Sequence, residues 1–421
     1  MDKFIIKGGK SLFGSVKVGG AKNASLALIP SALLTSGVSK LYNTPGLNDV
    51  YTMLKLVRHL GADAQFENDV VTIDTTGVAV LEAPYEHVKK MRASVYVLGP
   101  LLARYGYAKV SLPGGCAWGP RPINLHIEGL KKLGAQIDLV DGYIVAKAKK
   151  LQGNRINFDV PSVGATGNLL MAAVLAQGET ILNNAAMEPE ITNLAELLIK
   201  MGARIEGVGT PILHITGVDD LQSANIETIP DRIEAGTLLV AGAITGGKVT
   251  VESSNPLHIY SVIAKMEESG VTITYGDRSV TVDATGIRPE GVNVTTGPFP
   301  GYPTDMQAQW IAYMATANGV STVTDTIYRD RFTHVPELSR LGADIEVKDN
   351  SAVVRGNNKL SGAKVMSTDL RASASLILAG LAAQGTTEVL RIYHLDRGYQ
   401  NLELKLGALG ADIERVPGTE Y

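Results

Sequence analysis

Cysteine is nearly absent from this chain, whose 421 residues include one, Cys116. A single cysteine excludes an internal disulfide framework and a cysteine-rich zinc site, and it is typical of a reducing compartment. Long apolar runs are missing too. The run from Ala24 to Leu34 is too short to span a bilayer, and the opening segment MDKFIIKGGK lacks the apolar core of a signal peptide. We therefore expect a cytoplasmic protein with no membrane partner.

An excess of positive charge is also lacking, because the formal net charge is −3. This argues against a nucleic-acid partner. The segment Gly9-Lys10-Ser11 is not a P-loop, since Phe4 occupies the position of the first glycine; no GxGxxG opens a helix, and no HExxH is present. We expect no metal and no organic cofactor. Any anionic ligand must then be bound by a few local arginines and lysines.

Two markers recur along the chain at a nearly constant spacing. The first is a helix that ends in a triplet with glycine at its centre, Leu, Met or Ser before it and Ala or Val after it, and that is followed by a strand. These triplets begin at Leu60, Leu133, Met201, Ser269, Leu341 and Leu409.

The second marker is a glycine that closes a helix of small residues and fits a left-handed C-cap. Because both markers occur six times, the sequence predicts six repeats of similar length. The closing glycines are Gly37, Gly106, Gly178, Gly247, Gly319 and Gly385.

Each repeat has the same predicted order: an apolar helix, a short strand, an amphipathic helix and alternating strands. The first helix is apolar around most of its circumference and should be buried. Units of this length favour globular packing over a solenoid, with three repeats per domain. We predict an α/β protein with domains 21–229 and 1–20 plus 230–421, with a cleft and a hinge between them. Both opening strands are expected to complete the last repeat.

The N-termini of the six buried helices are candidate anion sites, because free amides and the helix dipole attract negative charge there. Basic residues at four of the six strengthen the expectation of phosphate ligands, although helix caps and salt bridges explain any single one equally well. Arg331 and Arg397 lie equally far after the last two closing glycines, in polar turns. The residues at the six N-termini are Lys22, Arg92, Gly164, Arg232, Asp305 and Arg371.

The lone cysteine lies in SLPGGCAWGPRPINLHIE, residues 111–128, where glycines and prolines exclude regular structure around the thiol. A lone cysteine is most often a small buried hydrophobe. The cationic and flexible surroundings of Cys116, with Arg121 close by, favour a reactive thiol instead. His126 and His394 flank the proposed site, and we expect each to be a hydrogen-bonding scaffold rather than a base. Glu188 and Glu190 could be catalytic carboxylates, but carboxylates in loops are more often structural.

Seven segments together resemble one known family. They are GGAKNAS (19–25), MRAS (91–94), LPGGCAWGPRP (112–122), SVGATGN (162–168), PTDMQAQ (303–309), TDLRASAS (368–375) and HLDRGY (394–399). The whole chain is similar to the UDP-N-acetylglucosamine 1-carboxyvinyltransferases. The resemblance implies the enolpyruvyl transferase fold, two inside-out α/β barrel domains of three βαβαββ-type repeats each. It also suggests a second isozyme of a Gram-positive bacterium.

The resemblance implies an activity as well. The family transfers the enolpyruvyl group of phosphoenolpyruvate (PEP) to the 3-hydroxyl of UDP-N-acetylglucosamine through a tetrahedral intermediate and releases phosphate. This is the first committed step of peptidoglycan precursor synthesis, and it supports cell shape and division. No cofactor is required.

Site residues follow from the matching positions. Cys116 would donate a proton to the PEP methylene, could form a covalent adduct, and would be alkylated by fosfomycin, an epoxide that mimics PEP. Asp305 would accept the proton of the 3-hydroxyl. PEP would contact Lys22, Asn23, Arg92, Arg121, Arg371 and Arg397, of which Lys22 and Arg397 also count as catalytic. UDP-N-acetylglucosamine would contact Asn23, Arg92, Arg121, Pro122, Ile123, Asn124, Leu125, Ser162, Val163, Gly164, Asp305 and Ile327.

Three positions depart from the family pattern. Asn48 replaces a frequent lysine near the PEP site, Trp118 stands at a loop tip that is usually small or aliphatic, and Asn124 replaces a frequent aspartate. None of them is a core catalytic position.

Three alternatives stay open. A shikimate-3-phosphate enolpyruvyl transferase shares the fold and the donor but lacks the loop cysteine. An RNA 3′-phosphate cyclase would need a histidine nucleophile and a more basic surface. A non-catalytic scaffold that binds a partner or a nucleotide sugar would tolerate substitution of Cys116 and Asp305.

Overall fold

The fold is described here from a computed structural model that covers residues 2–89, 91–112, 123–356 and 359–418. The chain divides into two compact units. The first unit is Gly20–Ile229, and the second unit combines Met1–Gly19 with Pro230–Tyr421. Each unit has its own hydrophobic core, built mainly from Ala, Val, Leu and Ile.

The first unit contains three four-stranded sheets of one design. Each has a parallel pair of strands followed by two antiparallel partners. In spatial order the strands are Ile226–Glu227, Val38–Tyr42, Val70–Asp74 and Asp63–Glu67 in the first sheet, Glu82–Ala83, Tyr107–Ser111, Tyr143–Lys147 and Gln136–Val140 in the second, and Arg155–Asn157, Glu179–Asn183, Ile212–Thr216 and Arg204–Glu206 in the third.

Helices of the first unit alternate with these strands. The inner helices carry few charged residues and are mostly buried; they are Lys22–Ser31, the 3₁₀ segment Arg92–Val97 continued by Leu98–Tyr105, and Val163–Ala173. The outer helices bury one face only, and they are Asn48–His59, Asn124–Lys132 and Pro189–Lys200. Two short elements complete the unit, the 3₁₀ turn Ala32–Leu34 and the helix Tyr85–Val88.

The second unit repeats the same design. In spatial order its strands are Phe13–Lys17, Lys248–Glu252, Ser279–Asp283 and Thr272–Gly276 in one sheet, Val294–Thr295, Val320–Thr324, Ser351–Arg355 and Asp344–Lys348 in the next, and Lys364–Met366, Thr386–Leu390, Asp2–Lys7 and Asp412–Pro417 in the last.

Helices of the second unit show the same division into inner and outer. The inner helices are Arg232–Ile244, the 3₁₀ turn Thr304–Met306 continued by Gln307–Ala315, and Leu370–Ala382. The outer helices are Tyr260–Glu268, Val335–Arg340 and Leu402–Ala408, and two 3₁₀ segments, Pro256–Ile259 and Ile392–Arg397, lead towards the first and the last of them.

Small residues let the inner helices approach one another closely. At Gly99 an added Cβ would lie 2.4 Å from the carbonyl oxygen of Asn168, on the neighbouring inner helix. The helix Gln307–Ala315 is buried along its whole length, as its apolar circumference predicts. The six predicted repeats are therefore confirmed as six sheets, each joined to one buried helix.

One part of the sequence prediction was wrong. The strand Asp2–Lys7 does complete the last repeat, between Thr386–Leu390 and Asp412–Pro417. The second opening strand, Phe13–Lys17, instead pairs in parallel with Lys248–Glu252 of the fourth repeat. The physical reason is an exchange of strands. The strand directly before the fourth inner helix, Ile226–Glu227, pairs in the first repeat, so the N-terminal segment provides its replacement.

The glycine marker was also off by one position in the fourth repeat. Gly106 ends its helix in the left-handed conformation, as predicted, with φ of 70°. In the fourth repeat Gly246 takes this conformation, with φ of 63°, rather than Gly247. Gly247 is needed for another reason: an added Cβ would lie 1.9 Å from the carbonyl oxygen of Leu12.

The architecture confirms the predicted α/β class with six βαβαββ-type repeats, three in each unit. Among the described residues the sheets stay separate and four-stranded, and none closes into a hydrogen-bonded barrel. Within the described ranges, no helix has both the length and the apolar character needed to cross a membrane.

Candidate functional site

The six residues predicted for the helix N-termini all lie in the first turn of an inner helix. Lys22, Arg92 and Arg232 are the first residues of their helical segments, and Gly164, Asp305 and Arg371 are the second. Side chains of Ser162, Asp231 and Asp369 cap three of these helices by accepting backbone amides. The turns that begin at Lys22, Arg92 and Thr304 have no side-chain cap.

Lys22 lies beside a buried carboxylate. Its ammonium is 3.6 Å from Asp49, and the two side chains are 13% and 7% exposed. Asp49 lies in the first turn of the outer helix Asn48–His59. A cation with a fixed carboxylate neighbour loses little side-chain freedom when an anion binds, so this pairing favours a preorganised ligand site. The salt-bridge role that the sequence left open for Lys22 is therefore seen in this structure.

His126 lies in the outer helix Asn124–Lys132, close to Gly164 of the inner helix Val163–Ala173. Its Nδ1 is 3.0 Å from the Nδ2 of Asn168. The orientation of that amide is fixed, because the Gly99 amide donates to Asn168 Oδ1 at 2.7 Å and Asn168 Nδ2 donates to the carbonyl of Val95 at 2.9 Å. The second amide hydrogen of Asn168 must then be donated to Nδ1. His126 is thereby assigned the neutral tautomer with its hydrogen on Nε2.

The electrostatic surroundings support the same tautomer. Burial and then the positive charge of Arg92 lower the pKa of His126 to about 4. The Nε2 atom lies at the start of the helix Val163–Ala173, 3.2 Å from the position that a Cβ on Gly164 would take. A neutral donor therefore points towards the helix N-terminus, next to the backbone amides that attract anions. The bond from Asn168 to Nδ1 is the kind of contact expected of a scaffold residue. The hydrogen on Nε2 adds a hydrogen-bond donor at the start of the helix Val163–Ala173.

Most residues predicted to contact the sugar nucleotide in the first unit meet at two neighbouring helix starts. Ser162 accepts the Ala165 amide at 3.3 Å and begins the helix that contains Val163 and Gly164. Ile123 precedes the helix Asn124–Lys132, which contains Asn124 and Leu125. His126 joins the two helices. Asn23 follows Lys22 in the first inner helix, which packs against the 3₁₀ segment that begins at Arg92.

Glu188 and Glu190 lie near the same region. Their negative charges affect the pKa of the buried phenol of Tyr96, whose hydroxyl lies 3.3 Å from the Val163 carbonyl oxygen. Burial first, then the negative charges of Glu190 and Glu188, raise the pKa of this phenol well above its ordinary value. Tyr96 therefore stays protonated and donates to the helix that begins after Ser162. The roles of the two carboxylates themselves stay a prediction.

The second unit contains a carboxylate held by two arginines. Arg331 Nη1 lies 2.9 Å from Asp305 Oδ1, and Arg371 Nη2 lies 2.7 Å from Asp305 Oδ2. Both arginines are nearly buried, with side-chain exposures of 8% and 4%, while that of Asp305 is 26%. The partly exposed carboxylate thus has each of its oxygens on a different cation.

A hydrogen-bonded chain connects Asp305 with Ile327. Arg331 Nη1 donates to Thr304 Oγ1 at 3.0 Å, and this hydroxyl donates to Asp325 Oδ2 at 2.7 Å. The other oxygen of the fully buried Asp325 accepts the Ile327 amide at 2.9 Å. The predicted sugar-contact residue Ile327 is therefore positioned by the same network that holds the predicted base, and its side chain is 37% exposed.

The guanidinium of Arg371 packs on an aromatic ring that is itself held by hydrogen bonds. Its Cζ lies 5.5 Å from the ring centroid of Tyr399. The phenol of Tyr399 accepts from Gln309 Nε2 at 3.1 Å and lies 2.9 Å from Thr237 Oγ1. Burial opposes the charge of the guanidinium, but the carboxylate of Asp305 and further negative neighbours raise the pKa of Arg371 above its ordinary value. Arg371 is therefore permanently charged.

Arg397 ends the 3₁₀ segment Ile392–Arg397, which packs against the helix of Arg371. Burial lowers the pKa of His394, and its neighbours Asp369 and Arg397 act on it in opposite directions, the carboxylate raising and the guanidinium lowering it. Arg232, at the remaining N-terminus of this unit, lies over the Phe299 ring, 5.7 Å from its centroid. The structure therefore gathers Asp305, Ile327 and Arg371 directly, with Arg397 on an adjoining segment.

Three predicted site residues, Cys116, Arg121 and Pro122, lie outside the described residues, as does Trp118. The sequence located Arg331 by its spacing from Gly319 but gave it no role. The signal was its equivalence to Arg397, which lies equally far after Gly385. The sequence left a salt-bridge role open for Lys22 but did not identify Asp49 as the partner, because nothing distinguishes this residue from other acidic residues in the outer helices. Among the described residues, no group of three or more His, Cys, Asp or Glu side chains could hold a metal ion.

Known proteins resemble the chain over its full length. The sequence profile of the EPSP synthase (3-phosphoshikimate 1-carboxyvinyltransferase) family matches residues 6–406. UDP-N-acetylglucosamine 1-carboxyvinyltransferase from Chloroherpeton thalassium is 56% identical over 100% of this chain and 99% of its own length. The protein of that name from Geobacter metallireducens is also 56% identical, over 99% of this chain and 100% of its own.

Solved structures support the same fold. The enolpyruvyl transferase NikO from Streptomyces tendae has a TM-score of 0.89 at 26% identity and covers 99% of each chain. An EPSP synthase from Acinetobacter baumannii has a TM-score of 0.77 at 20% identity, covering 99% of this chain and 100% of its own. At that level of identity the second likeness shows the fold alone.

Proposed function

The chain belongs to the family of enolpyruvyl transferases formed by the EPSP synthases and the UDP-N-acetylglucosamine 1-carboxyvinyltransferases, and on this premise we propose that it transfers the enolpyruvyl group of PEP to the 3-hydroxyl of UDP-N-acetylglucosamine. The observation that carries this proposal is identity of 54% to 56% with eight curated transferases of that name, over 99% or more of this chain. The reaction would supply a peptidoglycan precursor in the cytoplasm.

The acceptor is proposed over shikimate 3-phosphate for a further reason. The likeness to EPSP synthase structures stands at 20% to 21% identity, far below that to the sugar-nucleotide enzymes. The loop cysteine, Cys116, belongs to the most specific of the family-like segments in the sequence.

We assign the proton that leaves the acceptor to Asp305. Its carboxylate accepts the proton of the 3-hydroxyl, and the oxygen uses the freed electron pair to form a bond with C2 of PEP. The PEP methylene takes a proton, for which Cys116 is the proposed donor, and a tetrahedral intermediate results. In the second step the Cys116 thiolate takes a proton back from the new methyl group, the carbon–carbon double bond forms again, and phosphate leaves with the electron pair of its carbon–oxygen bond. Asp305 then releases its proton to phosphate or water, which restores both groups. No electrons are gained or lost overall.

Cations are needed because PEP carries a phosphate and a carboxylate. We propose Lys22, Arg92, Arg121, Arg371 and Arg397 for this role, with Asn23 beside them. Guanidinium groups match both anions through paired hydrogen bonds, and fixed charges stabilise the shift of charge during addition without reorganising. The support from the described residues is that Lys22 and Arg371 are already held in place.

The sugar nucleotide is proposed to bind at Asp305 and Ile327 and at the two helix starts of the first unit, with Arg92, Arg121, Pro122 and Asn23 completing the contacts. The free amides at the start of the helix Val163–Ala173 and the Nε2 hydrogen of His126 suit a diphosphate. This region has the chemistry of an anion site, which supports the proposal.

The proposed reactivity of Cys116 can be tested with fosfomycin. Incubation in the presence of UDP-N-acetylglucosamine should add the mass of one inhibitor to the peptide that contains Cys116, and Cys116→Ser should remove the addition. An unmodified peptide after complete incubation would count against a thiol in the PEP site.

Phosphate release tests the activity itself. The enzyme is incubated with PEP and either UDP-N-acetylglucosamine or shikimate 3-phosphate. We expect release only with the sugar nucleotide, and loss of release in Asp305→Ala. Release only with shikimate 3-phosphate would assign the chain to the other activity of its family, and no release with either acceptor would favour a binding scaffold.

A further inference from the structure

The segment that contains Arg397 is an unusually long 3₁₀ helix. It runs over six residues, Ile392–Arg397. Runs of this kind longer than about four residues are uncommon, because the geometry of their hydrogen bonds is poor. Left-handed residues interrupt the helical path on both sides, since Arg391 before the segment and Asn401 after it have φ of 58° and 52°. The segment therefore depends on side-chain contacts for its conformation.

The segment has three faces, because a 3₁₀ helix has about three residues per turn and residues three apart lie one above the other. The first face consists of Ile392 and Leu395, which are fully buried in the core of the second unit. Asp396 lies on the second face. Arg397 lies on the third face with His394, and both are partly exposed. A contact that fixes the second face therefore also sets the direction of the third.

The second face is bound by Arg415, a residue of the strand Asp412–Pro417. Nη1 and Nη2 of Arg415 donate to different oxygens of Asp396, the first at 3.2 Å. Paired bonds of this kind fix the orientation of both groups as well as their distance. The bond to Asp396, more than any other interaction, raises the pKa of Arg415 above its ordinary value. The two side chains are 30% and 29% exposed, so the pair acts as a geometric link rather than as a large source of stability.

Arg415 is itself fixed by three further groups. Its Nε lies 3.2 Å from Oε1 of Glu403, in the helix that follows the segment, and its Nη1 lies 3.5 Å from Asp2. Its Cζ lies 5.3 Å from the ring centroid of Phe4, its fully buried partner on the neighbouring strand. Asp396 is thus attached to a side chain that has little freedom to move.

We infer that Arg415 is a positioning residue for donor binding: through its paired hydrogen bonds to Asp396 it fixes the rotation of the 3₁₀ segment and thereby directs Arg397 towards the anionic donor. The inference rests on the proposed function, since it takes Arg397 as a contact of PEP. Arg415 needs no contact with either substrate. Its removal should therefore affect the donor and leave the sugar nucleotide alone.

Steady-state kinetics of Arg415→Met test this role. Methionine removes the guanidinium but keeps an apolar stem beside Phe4. We expect the KM for PEP to rise about tenfold, while the KM for UDP-N-acetylglucosamine stays within about twofold of its original value. Arg415→Lys retains the charge without the paired bonds and should recover only part of the loss. A merely structural role would lower the amount of folded enzyme, and hence the apparent kcat, without changing either KM.

A double-mutant cycle with Asp396→Asn tests the link itself. Asp396→Asn should raise the KM for PEP as Arg415→Met does, and the double variant should raise it no further, because both changes break the same contact. Arg355→Met is the matched control. It removes an arginine that binds Asp344 and Glu346 in the sheet of the fifth repeat, and it should leave the KM for PEP unchanged.

Three results would overturn the inference: an unchanged KM for PEP in folded Arg415→Met, equal rises in both KM values, or effects of the two substitutions that add. Thermal unfolding shows which variants are folded, and if Arg415→Met does not fold, Asp396→Asn tests the same prediction alone. Turnover by the unaltered enzyme keeps the questions apart. Turnover with an unchanged KM in the variants contradicts the inference alone, and absence of turnover contradicts the proposed function.

Discussion

Replacement of His126 by asparagine should make the protein less sensitive to acid. The ring is buried, and the pKa of His126 is lowered from its ordinary value of 6.5 to about 4. Between these two values the unfolded chain binds a proton that the folded protein does not bind. The stabilising effect of the neutral ring is thus complete above the pKa of the unfolded state and is lost progressively as the pH falls below it.

The size of the effect follows from the two pKa values. Taking 6.5 for the unfolded chain and about 4 for the folded protein, the free energy of unfolding falls by about 2 kcal/mol between pH 7 and pH 5 from this residue alone. Asparagine has no such titration, and its amide oxygen can replace Nδ1 as the acceptor for Asn168. The lost packing of the ring destabilises the variant equally at both pH values and cancels in the comparison.

Urea unfolding at pH 7 and pH 5, followed by circular dichroism, measures the quantity directly. The loss of stability on acidification should be about 2 kcal/mol smaller in His126→Asn than in the unaltered protein. His214→Asn is the matched control, because His214 lies on the exposed side of the strand Ile212–Thr216 in the same unit. It should change the acid sensitivity little.

Equal acid sensitivity of His126→Asn and the unaltered protein would refute the assignment of a neutral His126. It would mean that the ring is protonated in the folded protein at pH 5, and the Nε2 donor at Gly164 would then carry a charge. The link between burial of a histidine and acid sensitivity can be tested at a second position, His334 in the second unit. Burial lowers the pKa of His334 to about 4 as well, against the raising effect of Asp369.

Further changes test the positioning of the other groups. Arg331→Met removes the guanidinium that holds Asp305 Oδ1 in place, so it should lower kcat by about tenfold or more with small changes in both KM values. Arg331→Lys should restore part of the rate, and a large rise in either KM would instead indicate direct contact between Arg331 and that substrate. Gly164→Ala places a Cβ 3.2 Å from the imidazole Nε2 and should raise the KM for UDP-N-acetylglucosamine several-fold, as initial rates would show, whereas Gly407→Ala, with nothing within 4 Å of the added atom, should not. Asp369→Ala removes the acceptor for two helix-start amides and should lower the free energy of unfolding by about 1 kcal/mol, measured in urea; an unchanged stability would mean that the cap contributes nothing.

The repeats could be predicted because they are local in sequence. A buried helix, a closing glycine and a following strand succeed one another within a single repeat, and each leaves a mark on composition. The pairing of Phe13–Lys17 with Lys248–Glu252 could not be predicted in this way. It joins the beginning of the chain to a strand beyond its midpoint, and strand propensity does not identify which of several equivalent sheets takes a strand.

The site was predictable residue by residue but not as a network. Counting from the closing glycines placed Lys22, Asp305 and Arg371 at helix starts, where they are found. No sequence pattern indicated that Asp305 and Arg371, which belong to different repeats, share an ion pair of 2.7 Å. Side-chain contacts between repeats depend on how inner helices pack, and the pattern of apolar residues fixes that packing only approximately.

The nature of the nucleotide product tests the proposed activity most directly. After incubation of the enzyme with PEP and UDP-N-acetylglucosamine, mass spectrometry should find the sugar nucleotide heavier by one enolpyruvyl group, in an amount equal to the phosphate released. Unmodified UDP-N-acetylglucosamine, with PEP consumed or not, would contradict the assignment of this chain as an enolpyruvyl transferase that acts on the sugar nucleotide.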